Sequence, residues 1–173
     1  CARDKHSFEL FYKYFAAHII LLPDMAFFID LPLKKQPTGR ILYLRRNDKE
    51  FNAQQTSLNI PGTCEMHDWP TYERNFNVDR VLYHSMRLLK SINKDLARKW
   101  LDFYEDRFVR SAKLNIGYRF LCQYDEIYST RLHVAILGSL MGIKVNFLDN
   151  SYGKNRNFYE TWLSDLDTIT MLT

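Results

Sequence analysis

Apolar runs alternate with amphipathic segments along most of this chain. From His6 to Phe15, apolar residues recur at i, i+3, i+4 and i+7, the spacing of one helix face, and Ser7 is a candidate N-cap. The same period predicts helices over residues 78–92, 96–112, 131–141 and 157–166. A short apolar run predicts a strand at 19–22, and the continuous run at 40–44 is typical of a strand buried on both faces. Further strands are predicted at 126–129 and 143–148. The pattern therefore favours an α/β fold.

The last third of the chain predicts a βαβ unit. The strand at 126–129, the helix at 131–141 and the strand at 143–148 follow one another with short links, and Gly142 occupies the position of a helix C-cap. Such a unit requires parallel strands and a right-handed crossover. We therefore expect a Rossmann-type parallel sheet flanked by helices.

Two segments show neither period. Residues 31–39 contain two prolines and a glycine between apolar elements, so they predict a linker and the one candidate domain boundary. Residues 52–77 contain Pro61-Gly62 and Trp69-Pro70, and they predict a long irregular connection.

The composition is that of an ordinary globular protein, with 46% hydrophobic and 25% charged residues among 173. No stretch reaches the roughly 18 apolar residues of a membrane span, and the three cysteines form no CxxC pair, so we expect a cytoplasmic protein with reduced thiols. The net charge of +4 arises mainly between Arg74 and Arg119, where a solvated helix face is a simpler explanation than a binding surface. With no zinc-finger, RRM or basic-zipper pattern, we expect no nucleic-acid partner.

Polar residues follow three of the predicted strands. The carboxyl ends of parallel strands border the ligand crevice of an open sheet, so these residues are expected to converge. They are Arg45 and Arg46 after the strand at 40–44, Arg131 and His133 after the strand at 126–129, and Ser151, Lys154 and Asn155 after the strand at 143–148.

The chemistry of these residues points to a small anion. Arg131 and His133 fall on the first turn of a predicted helix, where free N–H groups and the helix dipole favour negative charge, and arginine forks suit carboxylate or phosphate. His133 is the only histidine in these segments and the candidate for proton transfer. Each feature also has a structural explanation: a helix cap for His133, a solvated strand end for Arg45 and Arg46, and a turn at 149–151.

Several other chemistries lack support in the sequence. No HExxH or similar spacing predicts a metal site, and neither GxGxxG nor a Walker motif predicts a dinucleotide or nucleoside triphosphate site. GxSxG is also absent, so a serine hydrolase is not indicated.

The motifs resemble those of a known family. Arg131-Leu132-His133, the segment DNSYGKN at 149–155 and the segment FYETW at 158–162 resemble the C-terminal part of polysaccharide pyruvyl transferases. The opening segment ARDKHS at 2–7 and PDMAF at 23–27 are similar to the end of that family's first half.

For the fold, the resemblance implies a GT-B-like enzyme with two Rossmann-like domains facing a cleft. Residues 1–33 are then the last elements of the N-terminal domain, and residues 38–173 form the C-terminal, donor-binding domain. Two domains of ordinary size need about twice this length, so we expect the chain to be a fragment, inactive alone.

For the function, the resemblance implies transfer of a pyruvyl group from phosphoenolpyruvate to two sugar hydroxyls, which forms a cyclic ketal in cell-surface polysaccharide biosynthesis. Phosphoenolpyruvate is a donor substrate, no cofactor is expected, and the acceptor is an oligosaccharide or polysaccharide repeat, which can be lipid-linked. Arg131 and His133 match the motif for donor binding and catalysis. One of Arg45 and Arg46 matches a donor-binding arginine, and Ser151, Lys154 and Asn155 are expected near the donor.

Two other interpretations stay open at this point. The same fold suits a nucleotide-sugar glycosyltransferase or a sialyltransferase-like enzyme, and a non-catalytic domain could keep the anion pocket without the chemistry.

Lipid-linked acceptors and the basic helices also suggest a peripheral position at the inner membrane face.

Overall fold

The structure, a computed structural model, describes residues 1–34, 36–44, 63–70, 76–150 and 153–172. The strands are β1 (Ile41–Leu44), β2 (Glu65–His67), β3 (Glu126–Ser129), β4 (Lys144–Leu148) and β5 (Ile169–Leu172). The α-helices are α1 (Lys5–Tyr14), α2 (Phe76–Ile92), α3 (Lys94–Tyr104), α4 (Arg110–Leu121), α5 (Leu132–Leu140) and α6 (Lys154–Phe158). A 3₁₀ helix spans Met25–Phe28, and π-helical turns at Glu105–Val109 and Tyr159–Leu163 follow α3 and α6.

All five strands are parallel and lie in the order β2-β1-β3-β4-β5. From β1 the chain adds β2 on one side of the sheet, and then it adds β3, β4 and β5 on the other side. The order therefore reverses between β1 and β3, and this reversal is the point at which open α/β sheets bind ligands. The prediction of an α/β fold with a parallel sheet is confirmed.

The core explains why the apolar runs form central strands. Fully buried side chains on these strands include Leu42, Leu44, Ile127, Val145 and Phe147. Helix α5 packs very closely against β4, since a Cβ built on Gly138 would lie only 2.8 Å from Val145 Cγ2. Gly138 therefore permits the close approach of helix and sheet that the βαβ unit needs.

The described chain divides into two compact units, residues 1–68 with 121–173 and residues 69–120. The first unit contains the sheet, α1, α5 and α6. The second is helical: the Asn93 side chain caps α3, and the π-helical turn at Glu105–Val109 joins α3 to α4. The boundary predicted near 31–39, with residues 1–33 and 38–173 in different domains, stays a prediction.

Asp125, just before β3, fixes the predicted linker to the amino end of the sheet. Its carboxylate pairs with Lys34 Nζ and accepts hydrogen bonds from the backbone N–H groups of Thr38 and Gly39. The Lys34 hydrogen bond is the main cause that lowers the pKa of Asp125 to about 2. Gly39 has φ +71°, in the left-handed region that glycine adopts readily.

The first predicted helix is confirmed with a different cap. Helix α1 begins at Lys5, and Asp4 is its N-cap, because the Asp4 carboxylate accepts a hydrogen bond of 2.8 Å from the backbone N–H of Ser7. Ser7 lies within the first turn. The expectation that Ser7 caps the helix is therefore wrong.

Other element boundaries also differ from the prediction. The strand expected at 19–22 is reduced to one bridge between Leu21 and Ala2, with Ile20 and Leu22 about half exposed. The stretch 52–77 is not wholly irregular, since it contains β2 and the start of α2. The helices expected at 96–112 and 157–166 instead run through π-helical turns to Leu121 and Leu163. Within the described residues, no helix is long and apolar enough to cross a membrane.

Candidate functional site

The reversal of strand order places the candidate crevice outside the carboxyl ends of β1 and β3. Arg45 and Arg46 follow directly after β1 in the sequence, but they lie outside the described residues, as does Ser151. The described part of the candidate crevice is formed by residues that follow β2, β3 and β4.

Arg131 lies at the junction of β3 and α5. It is the N-cap of α5 in an extended conformation, and its backbone N–H donates to Ser129 Oγ at 3.0 Å. Its guanidinium Nη2 donates to Asp68 Oδ1 at 2.7 Å, and Asp68 is the first residue after β2. Because β1 lies between β2 and β3 in the sheet, this ion pair bridges the carboxyl end of β1.

One donor of the same guanidinium has no partner in the part of the chain that the structure describes. Arg131 Nε is buried and has no hydrogen-bond partner among the described residues, although the Arg131 side chain as a whole keeps 28% exposure. A buried N–H without a partner is uncommon in folded proteins and calls for an explanation. An oxyanion in the crevice would supply the missing acceptor.

His133 lies in the first turn of α5, with 69% of its side chain exposed. Its Nε2 lies 3.5 Å from Oδ2 of Asp24, a carboxylate that keeps only 15% exposure. Asp24 caps the 3₁₀ helix through its other oxygen, Oδ1, which accepts from the backbone N–H of Ala26 at 3.0 Å. A fixed carboxylate therefore lies within ion-pair distance of one nitrogen of the exposed imidazole.

Asn155 joins the ends of β3 and β4. Its Nδ2 donates to the carbonyl oxygens of Thr130 at 2.7 Å and Leu148 at 2.8 Å, and its side chain is buried. Lys154 opens α6 with an exposed side chain, and its backbone N–H donates to Asn150 Oδ1 at 2.9 Å. The buried Asn155 side chain thus stabilises the edge of the crevice, and the exposed Lys154 side chain lies on the surface of the protein at this edge.

The site residues expected from the sequence thus fall into two groups. Arg131, His133, Lys154 and Asn155 all lie at the carboxyl ends of the neighbouring strands β3 and β4. Arg45, Arg46 and Ser151 lie outside the described residues. Among the described residues, no group of three or more His, Cys, Asp or Glu side chains could hold a metal ion. The roles assigned to these side chains stay predictions.

Two carboxylates next to the candidate residues, Asp68 and Asp24, were missed by the sequence analysis. Asp68 follows β2 in the same way that Arg131 follows β3, so recognition of the short strand Glu65–His67 would have indicated it. Asp24 lies in the segment PDMAF, which contributed to the family resemblance. The resemblance assigned no role to the Asp24 carboxylate. Both are distant in sequence from the side chains they contact, and no local pattern pairs them.

Comparison with known proteins identifies a family whose match covers residues of the crevice. Residues 1–152 match the family described as "Polysaccharide pyruvyl transferase". The chain belongs to this family. Its match includes Asp24, Asp68, Arg131 and His133, and so covers both the crevice residues and their acidic partners.

Two relatives carry the same activity in their names. The chain is 32% identical over 179 residues to "Putative pyruvyl transferase EpsO" of Bacillus subtilis (strain 168), a match that covers 98% of this chain and 52% of that protein. It is 28% identical over 168 residues to "Pyruvyl transferase 1" of Schizosaccharomyces pombe, covering 93% of this chain and 38% of that protein. The chain therefore spans about half or less of the length of these relatives.

A solved structure shares the fold. A crystal structure of an uncharacterized protein from Klebsiella pneumoniae superposes with a TM-score of 0.58 at 24% identity, over 99% of this chain and 53% of that chain. This likeness supports the α/β architecture of the sheet and its helices.

Proposed function

We propose that this protein transfers a pyruvyl group from phosphoenolpyruvate to two hydroxyls of a sugar acceptor, forming a cyclic ketal in a cell-surface polysaccharide. The observation that carries the proposal is the position of Arg131 and His133 beside the strand-order reversal, in a member of the polysaccharide pyruvyl transferase family. Phosphoenolpyruvate serves as a donor substrate rather than a cofactor. The acceptor is an oligosaccharide or polysaccharide repeat unit.

The charges at the crevice suit such a donor. Phosphoenolpyruvate carries a carboxylate and a phosphate, and arginine binds both groups with paired N–H donors. Arg131 offers a buried Nε that has no partner among the described residues, and it is anchored by Asp68, so its guanidinium is oriented before the donor arrives. The free N–H groups at the start of α5 add to the attraction for an anion.

The reaction needs one group that transfers protons. Protonation at C3 of the enol makes C2 electrophilic, and a sugar hydroxyl adds to C2 and loses its proton. The bond between C2 and the phosphate oxygen then breaks, phosphate leaves, and the second hydroxyl closes the ketal. His133 is the acid–base group in this scheme, and Arg131 stabilises the negative charge on the departing phosphate.

The direct test uses the full-length gene product with phosphoenolpyruvate and a β-galactoside acceptor. Release of phosphate together with a ketal product identified by NMR supports the proposal. Activity with a nucleotide sugar alone would instead indicate a glycosyltransferase. Donor binding without either reaction would indicate a non-catalytic anion-binding domain.

Replacement of His133 by Ala tests the assignment of the acid–base group. We expect turnover to fall by on the order of 10²–10⁴, with binding of phosphoenolpyruvate largely retained. His84→Ala, a histidine in the helical unit, is the matched control and should keep normal turnover. Near-normal turnover of the His133→Ala variant would exclude His133 as the acid–base group.

The helical unit also supports a peripheral position at the inner membrane face. Residues 69–120 contain 11 Lys and Arg residues against six Asp and Glu residues, and Leu88, Ile92 and Phe103 are more than half exposed. A unit with both basic and exposed apolar side chains suits the interface of an anionic bilayer, where a lipid-linked acceptor would reside.

A further inference from the structure

We propose that Asp24 is a positioning residue that holds Nε2 of His133, so that Nδ1 is the nitrogen that exchanges protons with the substrates. This inference rests on the proposed function, because it specifies how the acid–base group of that reaction is oriented. It adds to the site a residue from the N-terminal segment of the chain.

The two oxygens of Asp24 have different partners. Oδ1 accepts the backbone N–H of Ala26, which fixes the carboxylate at the start of the 3₁₀ helix. Oδ2 lies 3.5 Å from His133 Nε2 and 3.8 Å from Arg3 Nη1. The carboxylate is therefore held in place independently of the histidine, as an orienting group must be.

The segment that carries Asp24 is itself firmly attached to the sheet unit. Phe27 stacks on Phe158 with the ring centroids 6.2 Å apart, and the guanidinium of Arg3 lies 5.7 Å from the centre of the same ring. Trp162 Nε1 donates to the carbonyl oxygen of Arg3 at 2.7 Å. These contacts keep Asp24 close to the first turn of α5, since they join its neighbours to the helical segment that follows β4.

A carboxylate next to one ring nitrogen decides where the ring proton resides. A neutral imidazole has one N–H donor and one acceptor nitrogen, and a carboxylate can only accept. Asp24 therefore favours the tautomer with the proton on Nε2 and leaves the lone pair on Nδ1. The same carboxylate faces the positive charge that the ring carries after it accepts a proton.

Asp24→Asn is the informative substitution because it preserves the shape of the side chain and replaces one acceptor oxygen by a donor NH₂ group. The amide oxygen can keep the cap on Ala26, while the amide NH₂ group then faces Nε2 and donates to it. The ring proton would move to Nδ1, the nitrogen assigned to the reaction. We expect kcat to fall on the order of 10²-fold or more, with KM for phosphoenolpyruvate changed less than about twofold.

Two controls separate positioning from folding. Asp24→Ser also keeps a capping oxygen but lacks the carboxylate, so it should lower kcat while the unfolding midpoint stays close to that of the parent protein. In a His133→Ala background, Asp24→Asn should cause little further loss, because residues that act as one unit are not additive. An equal loss in both backgrounds would overturn the proposal.

Nitrogen-15 NMR of the histidine ring tests the contact without any enzyme assay. We expect the neutral His133 ring to carry its proton on Nε2 in the parent protein and on Nδ1 in Asp24→Asn. The same tautomer in both proteins would overturn the proposal. Because this measurement needs no substrate, failure of pyruvyl transfer in the full-length gene product is distinguishable from failure of the Asp24 assignment.

Discussion

Asn155 connects two neighbouring strand ends through a single buried amide group. Its Nδ2 supplies the hydrogen bonds that the carbonyl oxygens of Thr130 and Leu148 accept where β3 and β4 end. Those carbonyls lie in a region with little access to water, so they depend on this side chain. Asn155 therefore maintains the spacing of the two loops that carry Arg131 and Lys154.

Replacement of Asn155 by Ala should destabilise the protein by about 2–4 kcal/mol, because two buried acceptors lose their donor at once. Denaturant unfolding of the purified variant measures this loss. Asn157→Ala, the same change two residues further along the helix, should change stability by less than about 0.5 kcal/mol. Equal effects of the two substitutions would contradict the connecting role of Asn155.

At the scale of residues, the sequence predicted where the candidate site residues lie, but it did not predict which side chains they contact. Arg131 and His133 were expected at a strand end because the short strand predicted at 126–129 ends just before them. The contacts with Asp68 and Asp24 depend on how the chain returns to the same edge of the sheet. No periodicity encodes such contacts, and they become visible only once strand order is known.

At the scale of elements, the strongest predictions concerned the segments with the strongest local signal. Strands β1, β3 and β4 are largely buried, and Gly142, with φ +72°, follows the Met141 C-cap of α5, so the βαβ unit was predictable. Strand β2 has only three residues, two of them exposed, and its pairing with β1 rather than its composition makes it a strand. The π-helical turns were missed because the sequence pattern contains no stop signal at these positions.

The carboxylate that attaches the linker to β3 should make the free energy of unfolding depend on pH. The folded-state pKa of Asp125 is lowered to about 2, chiefly by its hydrogen bond with Lys34, and that of Glu65 is lowered to about 2, chiefly by its hydrogen bonds with Arg40. A lowered pKa means that the stabilisation is present above the unfolded-state pKa and is lost as the pH falls through the folded-state value. We therefore expect stability to decline between about pH 4.5 and pH 2.

Asp125→Asn isolates one part of this decline. At neutral pH the variant should have a lower denaturant midpoint than the parent protein, and the two curves should approach each other as the pH falls to about 2. Asp30→Asn, which changes an exposed carboxylate, is the matched control and should follow the parent curve. A constant difference between Asp125→Asn and the parent protein over this pH range would show that the charge of Asp125 is not what stabilises the linker.

At the scale of the whole molecule, the positive charge is not distributed evenly. Residues 69–120 carry a net charge of +5, whereas the complete chain carries +4, so the rest of the chain is slightly acidic. Composition alone gave no reason to prefer a binding surface over a solvated helix face. The structure adds exposed apolar side chains to the same unit, among them an aromatic group in which Phe103 contacts Trp100 and Phe108.

This combination leads to a prediction about membranes. The full-length gene product should sediment with vesicles that contain anionic lipid and much less with neutral vesicles, and binding should weaken as salt is added, since each basic residue near such a surface contributes about 1 kcal/mol that salt screens. Arg98→Gln with Lys99→Gln should weaken binding about tenfold or more. The matched pair Lys5→Gln with Lys13→Gln removes the same charge from the other unit and should have a smaller effect.

Phe103→Ala separates the apolar contribution from the electrostatic one. The Phe103→Ala variant should bind vesicles more weakly than the parent protein, and this difference should persist at high salt, because apolar burial in the interface does not depend on screening. A second copy of the chain is a less suitable partner for these apolar side chains, since two units that each carry a net charge of +5 repel each other. Binding that is equal on neutral and anionic vesicles, or a salt-resistant dimer that loses stability in Phe103→Ala, would assign the exposed apolar side chains to another role.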